Sequence, residues 1–558
     1  AMEKIWLKSY PEGVPADIDF ARYESLVHLL EDAFRTHGSK QAFACMGKSI
    51  TYAELDQLSR DFAAWLQADG IKPGSRVAVM MPNVLQYPVA VAGILRAGCI
   101  LVNVNPLYTA RELEHQLKDS GAEAIVILEN FAHLMEKVQA NTNVRHVVVA
   151  AMGDLLGGIK GAIVNFVVRR VKKMVPPFSV KNAISFKQAL AGGRAAAFSQ
   201  PKIGHEDVAV LQYTGGTTGV AKGATLVHRN LIANVLQSEA WMQPAFQRVA
   251  PGEQMITITA LPLYHIFAFT VCGMLSIRNG GLSVLIPNPR DFDGFIEELT
   301  KYKFHLLPAV NTLYNALANH PNIGKVDFSK LIISNGGGMA VQEAVAQKWL
   351  KVTGCPVVEV YGLSETSPSA TCNPVNSDKY SGTIGLPLPS TEIAIRDDEG
   401  KDVPLGQPGE ICIRGPQVMK GYWNRPDETA KVMTPDGFLR TGDVGVMEPT
   451  GHVKVVDRKK DMILVSGFNV YPNEVESVVA MHPGVLECAA IGVPDQYSGE
   501  AVKLIVVKKD PALTAEQVQE FCKEQLTGYK RPKYVEFRTE LPKTPVGKIL
   551  RRELRDAA

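Results

Sequence analysis

Residues 213–223 read YTGGTTGVAKG, between two strand-like runs, VAVLQ at 208–212 and ATLV at 224–227. Four glycines, three threonines and a lysine in eleven residues can bury almost nothing apolar, so the stretch serves either a turn or a ligand. A plain hairpin connection normally needs no more than two glycines. Phosphate chemistry accounts for the rest. Glycines let backbone N–H groups approach phosphate oxygens closely, the hydroxyls of Thr214, Thr217 and Thr218 can donate to them, and Lys222 adds positive charge. A Walker A loop runs from a strand into a helix and needs Gly-Lys followed by Ser or Thr. Here Gly223 follows Lys222 and a strand follows the loop, which sets aside a P-loop kinase or NTPase.

The chain has 558 residues, too many for one hydrophobic core, so two or three domains are expected. Its 46% hydrophobic and 21% charged residues are those of an ordinary globular protein. With 59 Lys and Arg against 57 Asp and Glu, no global field recruits nucleic acid, and an anion has to be held by a local site. Eight cysteines stand singly, without CxxC or HExxH, which reads as a cytoplasmic chain of reduced thiols lacking a structural zinc. The opening residues contain no long apolar signal region. Met255–Ile277 runs 23 residues without a charge, long enough to span a bilayer. Its Pro262, Tyr264, His265 and the alternation MITIT favour instead a buried strand followed by a buried helix.

Strand-like runs (RVAVMM, CILVNV, AIVIL, HVVVAA) alternate with helix-like segments such as ELDQLSRDFAAWLQADG, the pattern of an α/β fold with parallel sheets covered by helices. From about residue 380 to 456 the pattern changes to short strands and turns, a smaller and more antiparallel subdomain. After VVDRKKD a compact α+β pattern follows. The expected organisation is a large N-terminal domain over 1–456, a hinge linker at 457–460, and a small, mobile α+β C-terminal domain over 461–558.

The glycine loop resembles the phosphate-loop signature of the adenylate-forming superfamily, which includes acyl-CoA synthetases and peptide-synthetase adenylation domains. Four further motifs follow in the order of that superfamily: YGLSET at 361–366, GEICIRG at 409–415, TGD at 441–443 and PKTPVGKILR at 542–551. Asp436–Lys460 and the opening MEKIWLKSYPEGVP are similar to fatty acyl-CoA synthetases, the opening to the bacterial long-chain enzymes. The resemblance implies ATP-dependent conversion of a long-chain fatty acid to an acyl-adenylate, then transfer to coenzyme A as co-substrate, giving acyl-CoA, AMP and pyrophosphate. Medium-chain or aryl acids, or a carrier protein as acceptor, are the alternatives. A catalytically silent lipid-binding protein is a reading from another class, disfavoured by the retained Lys548, Glu365 and phosphate loop.

Carried over residue by residue, Thr214, Gly215, Gly216, Thr217, Thr218, Gly219 and Lys222 would hold the β- and γ-phosphates. Glu365 would be the Mg²⁺ ligand, one carboxylate beside substrate phosphates being the usual arrangement. Ser364 stands where the family more often has threonine, and its hydroxyl can still reach the α-phosphate. Tyr361 would stack on the adenine, with Gly336, Gly337 and Gly338 letting backbone pass close to the ring, and Gly362 would join the nucleotide-binding residues. Asp443 would accept the ribose hydroxyls with Arg458 assisting. Lys548 would bridge the attacking carboxylate and the α-phosphate. Asp457 and Lys460 bound the hinge, Gly467 matches the glycine beside the coenzyme A tunnel, and His265 matches a position beside the substrate carboxylate, with a satisfied core histidine as its plain alternative. The acyl pocket is expected near Met255–Ile277 and FHLLPAVNTLY at 304–314.

Residues 153–181 carry six basic side chains against Asp154, interleaved with Ile, Val and Phe. Such a segment is suited to peripheral contact with the inner face of the cell membrane. A basic surface helix packed on the domain is the other reading. The family is often homodimeric, although no stretch of this sequence specifies an interface.

Overall fold

The computed structural model describes residues 3–214, 221–526, 528–545 and 547–558. Gly215, Gly216, Thr217, Thr218 and Gly219, expected to cradle phosphate, lie outside the described residues.

The four apolar runs form adjacent parallel strands at the centre of an eight-stranded sheet: Arg76–Met80, Ile100–Val104, Ala124–Leu128 and His146–Ala150. Their near-continuous Val, Ile and Leu content follows from their position, since a strand covered by helices on both faces has no solvent side. Val208–Tyr213 joins parallel to Ile100–Val104. Beyond it the sheet changes sense. Gly223–Val227 returns antiparallel, with Tyr213 opposite Gly223, and Gly421–Tyr422 closes the edge antiparallel to Gly223–Val227. The two strands that flank the glycine-rich stretch therefore pair with each other within this sheet. The helix Tyr52–Ala68, opened by a capping box between Thr51 and Glu54, lays Leu55, Phe62 and Leu66 against the sheet's core.

A second sheet contains Ile256–Thr259, Leu282–Leu285, Gln41–Cys45 and Lys48–Thr51. The charge-free stretch is thus a strand, Ile256–Thr259, followed by a π-helical turn, Ala268–Met274, whose seven residues are all buried. Among the described residues no helix is long and apolar enough to cross a membrane. A third sheet holds Ser334–Gly336, Val357–Gly362, Ser369–Cys372 and Leu386–Pro387. The turn-rich region from 392 onward forms a wholly antiparallel sheet of Glu392–Arg396, Gly409–Arg414, Leu439–Met447 and Val453–Arg458.

The segment from residue 463 builds a five-stranded sheet of its own, with helices Pro472–Val479, Ala515–Gln525 and Arg551–Asp556. It has a separate apolar core around Val470, Val475, Leu504 and Val518. Asp457 and Arg458 are the last residues of a strand, paired opposite Val444 and Asp443, and a short 3₁₀ turn, Lys459–Asp461, leads on from them.

Candidate active site

A cleft of about 1510 Å³ lies where the third and fourth sheets meet the C-terminal segment, and its wall includes Thr214, Lys222, His265, Tyr361, Glu365, Asp443, Arg458 and Lys548. Its size accommodates a nucleotide together with a second substrate, since sites for single drug-sized ligands span roughly 300–1,000 Å³.

The TGD turn owes its shape to two side chains. Thr441 Oγ1 accepts from the Asp443 amide at 3.0 Å, and Glu410 Oε2 accepts from the Gly442 amide at 2.9 Å. Asp443 is thereby directed across to the neighbouring sheet, where the Tyr361 hydroxyl donates to its Oδ2 at 2.5 Å. Arg458 Nε stands 3.4 Å from Asp443 Oδ1. Three residues far apart in sequence thus form one polar wall. Gly362, beside Tyr361, cannot carry a side chain, because a Cβ there would lie 1.8 Å from the carbonyl oxygen of Pro368. Gly337 and Gly338 line the cleft, whereas Gly336 lies in the strand behind it, packed against Val341 and Val357.

Ser364 and Glu365 occupy a single 3₁₀ turn, Ser364–Thr366, that follows the Tyr361 strand. Glu365 is almost fully buried, which raises its carboxyl above the usual range, and the Tyr422 hydroxyl donates to its Oε1 at 3.0 Å. Lys222 Nζ sits 3.3 Å from Glu428 Oε2 and 4.7 Å above the Tyr422 ring. Thr214 and Lys222 bracket the glycine loop, the Thr214 amide donating to the Lys222 carbonyl at 2.9 Å. Among the described residues no group of three or more His, Cys, Asp or Glu is placed to hold a metal. Glu365, a cleft carboxylate near enough to Lys222 to feel its charge, nevertheless fits Mg²⁺, which takes one or two protein carboxylates and completes its shell with phosphates and water.

Lys548 reaches the cleft from the C-terminal segment on a loop whose Thr544 amide donates to the Lys548 carbonyl at 2.7 Å. The adjacent Gly547 has φ of +91° and docks on the larger part of the molecule. Thr312 Oγ1 donates to its carbonyl at 2.7 Å, and a Cβ on it would stand 2.9 Å from Val310 Cγ2. Only glycine combines that left-handed backbone with so close an approach. Burial, reinforced by the charge of Arg458, lowers Lys548 to about 8. His265 lines the same cleft. Burial, then the positive charge of Lys548, lowers its imidazole to about 4, so it is neutral at pH 7, and its Nδ1 accepts from the Phe267 amide at 3.3 Å.

Asp457 is 1% exposed and sits in a buried cluster centred on Arg551. Arg551 contacts Glu476 at 2.6 Å, Asp457 at 3.2 Å, Asp461 at 3.2 Å and the side-chain oxygen of Asn473 at 2.6 Å. Burial opposes its charge, and the surrounding carboxylates, Glu476 foremost, outweigh that effect and raise its pKa. Lys460 borders the cleft. Gly467 does not: it lies on an exposed turn between the strands Ile463–Val465 and Phe468–Val470. The apolar side of the cleft, with Tyr264, Ile266, Phe267, Met339 and Val360, comes partly from Met255–Ile277, whereas the other stretch expected to form the acyl pocket, 304–314, contributes only the polar Asn311 and Thr312.

Sequence reasoning missed Tyr422, Glu428, Arg551 and Glu359. Glu359 lines the cleft two residues before Tyr361, and burial raises its carboxyl to about 8, opposed only by the Val341 amide. An acidic residue within the strand VVEVYG was the available signal.

The AMP-binding enzyme family profile matches residues 30–423, and the AMP-binding enzyme C-terminal domain profile matches 474–548. A long-chain-fatty-acid–CoA ligase of Yersinia pestis is 57% identical over 100% of this chain and 98% of its own length. That of Escherichia coli O6:H1 is 56% identical over 100% and 99%. The ATP-bound crystal structure of MatB from Rhodopseudomonas palustris is 30% identical and superposes with a TM-score of 0.80, covering 95% of this chain and 98% of that one. With both profiles matched in order and the relatives aligned end to end, the chain belongs to the AMP-binding enzyme family.

Proposed function

We propose that this chain is an AMP-forming acid–CoA ligase whose acid is a long-chain fatty acid. The observation that carries the reading is the convergence of Lys548 with Tyr361, Asp443, Arg458, Glu365 and Lys222 on one cleft. The long-chain substrate is supported by the names of the relatives that align over the full length.

In the first half-reaction a carboxylate oxygen attacks the α-phosphorus of ATP, and the bond to the pyrophosphate oxygen breaks. No protein nucleophile is required, so catalysis is positioning and charge stabilisation. Asp443 and Arg458 hold the ribose, Tyr361 borders the adenine, and Ser364 addresses the α-phosphate. Lys222 exchanges Glu428 for a phosphate. Mg²⁺, held by Glu365, neutralises phosphate charge when bound. Lys548 stabilises the charge that shifts as the new bond forms. In the second half-reaction the thiol of coenzyme A attacks the acyl carbon, and AMP leaves with the bonding electron pair. His265, neutral beside the carboxylate, positions the acyl group without adding charge. Residues 1–456 act as the adenylation domain and 461–558 as the mobile domain. Rotation about Asp457–Lys460 withdraws Lys548 and brings the Gly467 turn to the adenylate. The enzyme works in the cytoplasm.

The test is pyrophosphate and acyl-CoA formation with ATP, Mg²⁺ and coenzyme A across saturated acids from short to long. Both products should peak with long chains. Pyrophosphate without acyl-CoA would point to another acceptor, and neither product with any acid would remove the ligase reading.

A further inference from the structure

The helix Gly158–Phe166 and the π-turn Val167–Val171 that continues it show their apolar side to solvent. Their inward side mixes small, apolar and polar residues, with Val164 packed on the main core. Gly161 and Val168 are buried, Asn165 Oδ1 accepts from the Gly153 amide at 2.7 Å, and Arg169 pairs with Glu129 through two bonds of 2.8 and 2.9 Å. The opposite stripe is Ile159, Ile163 and Phe166, spaced i, i+4, i+7, which are 82%, 58% and 60% exposed. Val171 and Met174 prolong it. Of thirteen large apolar side chains exposed among the described residues, five fall between 159 and 174, so the stripe is a patch and not chance scatter. A helix of a globular protein ordinarily turns such a stripe to the core.

Charge accompanies the stripe. Arg170, Lys172 and Lys173 are exposed beside it, Lys160 is held by the Met46 carbonyl, and a shallow hollow next to Phe166 is edged by Arg169, Arg170 and Lys187. The nearby carboxylates are engaged elsewhere: Glu129 by Arg169, and Asp154 by the Ala151 amide at 2.7 Å. The whole chain carries only +2, so this positive surface is local.

We infer that residues 158–174 dock on a bilayer containing anionic lipid, with Ile159, Ile163, Phe166, Val171 and Met174 entering the acyl boundary and the basic side chains meeting headgroup phosphates. Apolar side chains flanked by cations match that interface, with hydrocarbon beneath a negatively charged plane. A protein partner would have to supply both an apolar groove and an acidic rim. The bonds of Asn165 and Arg169 fix the inward side, so the stripe stands ready without refolding. The inference deepens the long-chain fatty acid reading, on which it rests for its purpose only: a substrate dissolved in the bilayer is taken up where it resides.

The experiment is co-sedimentation of the full chain with phosphatidylcholine vesicles, with and without phosphatidylglycerol, at low and high salt. The chain should pellet with the anionic vesicles and be released by salt. Replacing Lys172 and Lys173 with Glu (K172E/K173E) should lower partition on the order of twenty-fivefold or more, each surface cation being worth roughly fivefold. I163D/F166D should lower it at least about tenfold, even at low salt. An unchanged thermal unfolding midpoint shows that each variant is folded, and the charge variant stands alone should the apolar one fail. Wild type remaining in the supernatant, or I163D/F166D pelleting like wild type, overturns the inference. If vesicle binding follows the predicted pattern in a chain that activates no acid, the surface stands and the ligase reading fails.

Discussion

Tyr361 and Asp443 lie on strands paired along both edges, Val357–Gly362 between two neighbours and Leu439–Met447 between two others. Lys548, which faces them, lies on a loop anchored in a different core, where Ile549 packs with Leu541 and Leu554. Its docking on the larger part includes the Thr312–Gly547 hydrogen bond and the close fit of Gly547 against Val310. In the proposed mechanism the groups that recognise are built into sheets, while the group that would catalyse arrives on a loop from another core. The proposed pair of successive reactions would gain from that division, because the cation could leave without disturbing the wall of Tyr361, Asp443 and Arg458.

Lys548→Ala is the sharpest way to separate the two regions. Pyrophosphate release should fall on the order of 10²–10³-fold, while acyl-CoA formation from supplied acyl-adenylate should change little. An equal loss in both steps would mean that Lys548 also belongs to the wall. Arg551→Met attacks the C-terminal side. Removing a cation shared by the buried Asp457 and Glu476 and the half-buried Asp461 should destabilise that segment by about 3–5 kcal/mol, read as an earlier unfolding transition in calorimetry. Gly547→Val acts at the contact itself. Displacing Lys548 by an ångström or so should cut the first half-reaction about a hundredfold and leave ATP binding, followed by calorimetric titration, near wild type.

A smaller effect follows from pH. Burial and Arg458 place Lys548 at about 8, so it is charged below that value and neutral above it. The kcat/KM for pyrophosphate release should therefore decline as pH rises through about 8, and that limb should be missing in Lys548→Ala. Its persistence there would assign the titration to another group.

The sequence exposed the wall better than the contacts that tune it. RVAVMM, CILVNV, AIVIL and HVVVAA were legible because strands buried on both faces have no choice but to be apolar. The parallel sense was legible from the helices between them, while the antiparallel edge of the same sheet was not. Lys548, Asp443 and Glu365 were found through motifs in a shared order, not through any property of a single residue. Glu428 and Arg551 were invisible because their meaning lies in their partners: Lys222 stands 206 positions from Glu428, and Asp457 stands 94 from Arg551. Gly467 shows the opposite case, a motif residue that the structure leaves away from the cleft, on an exposed turn. The basic segment was legible in charge, but the outward direction of its apolar stripe required the positions of Gly161, Asn165 and Val168.

All eight cysteines are buried thiols, and burial pushes Cys45, Cys99 and Cys272 to about 12 and Cys522 to about 11. A thiolate is the reactive form, so the native surface is nearly silent toward maleimide dyes. Two cysteines introduced at exposed positions, one on either side of Asp457–Lys460, would therefore carry a fluorophore pair without first stripping the natural ones, and the proposed travel of Lys548 becomes a distance that single molecules would reveal or refute.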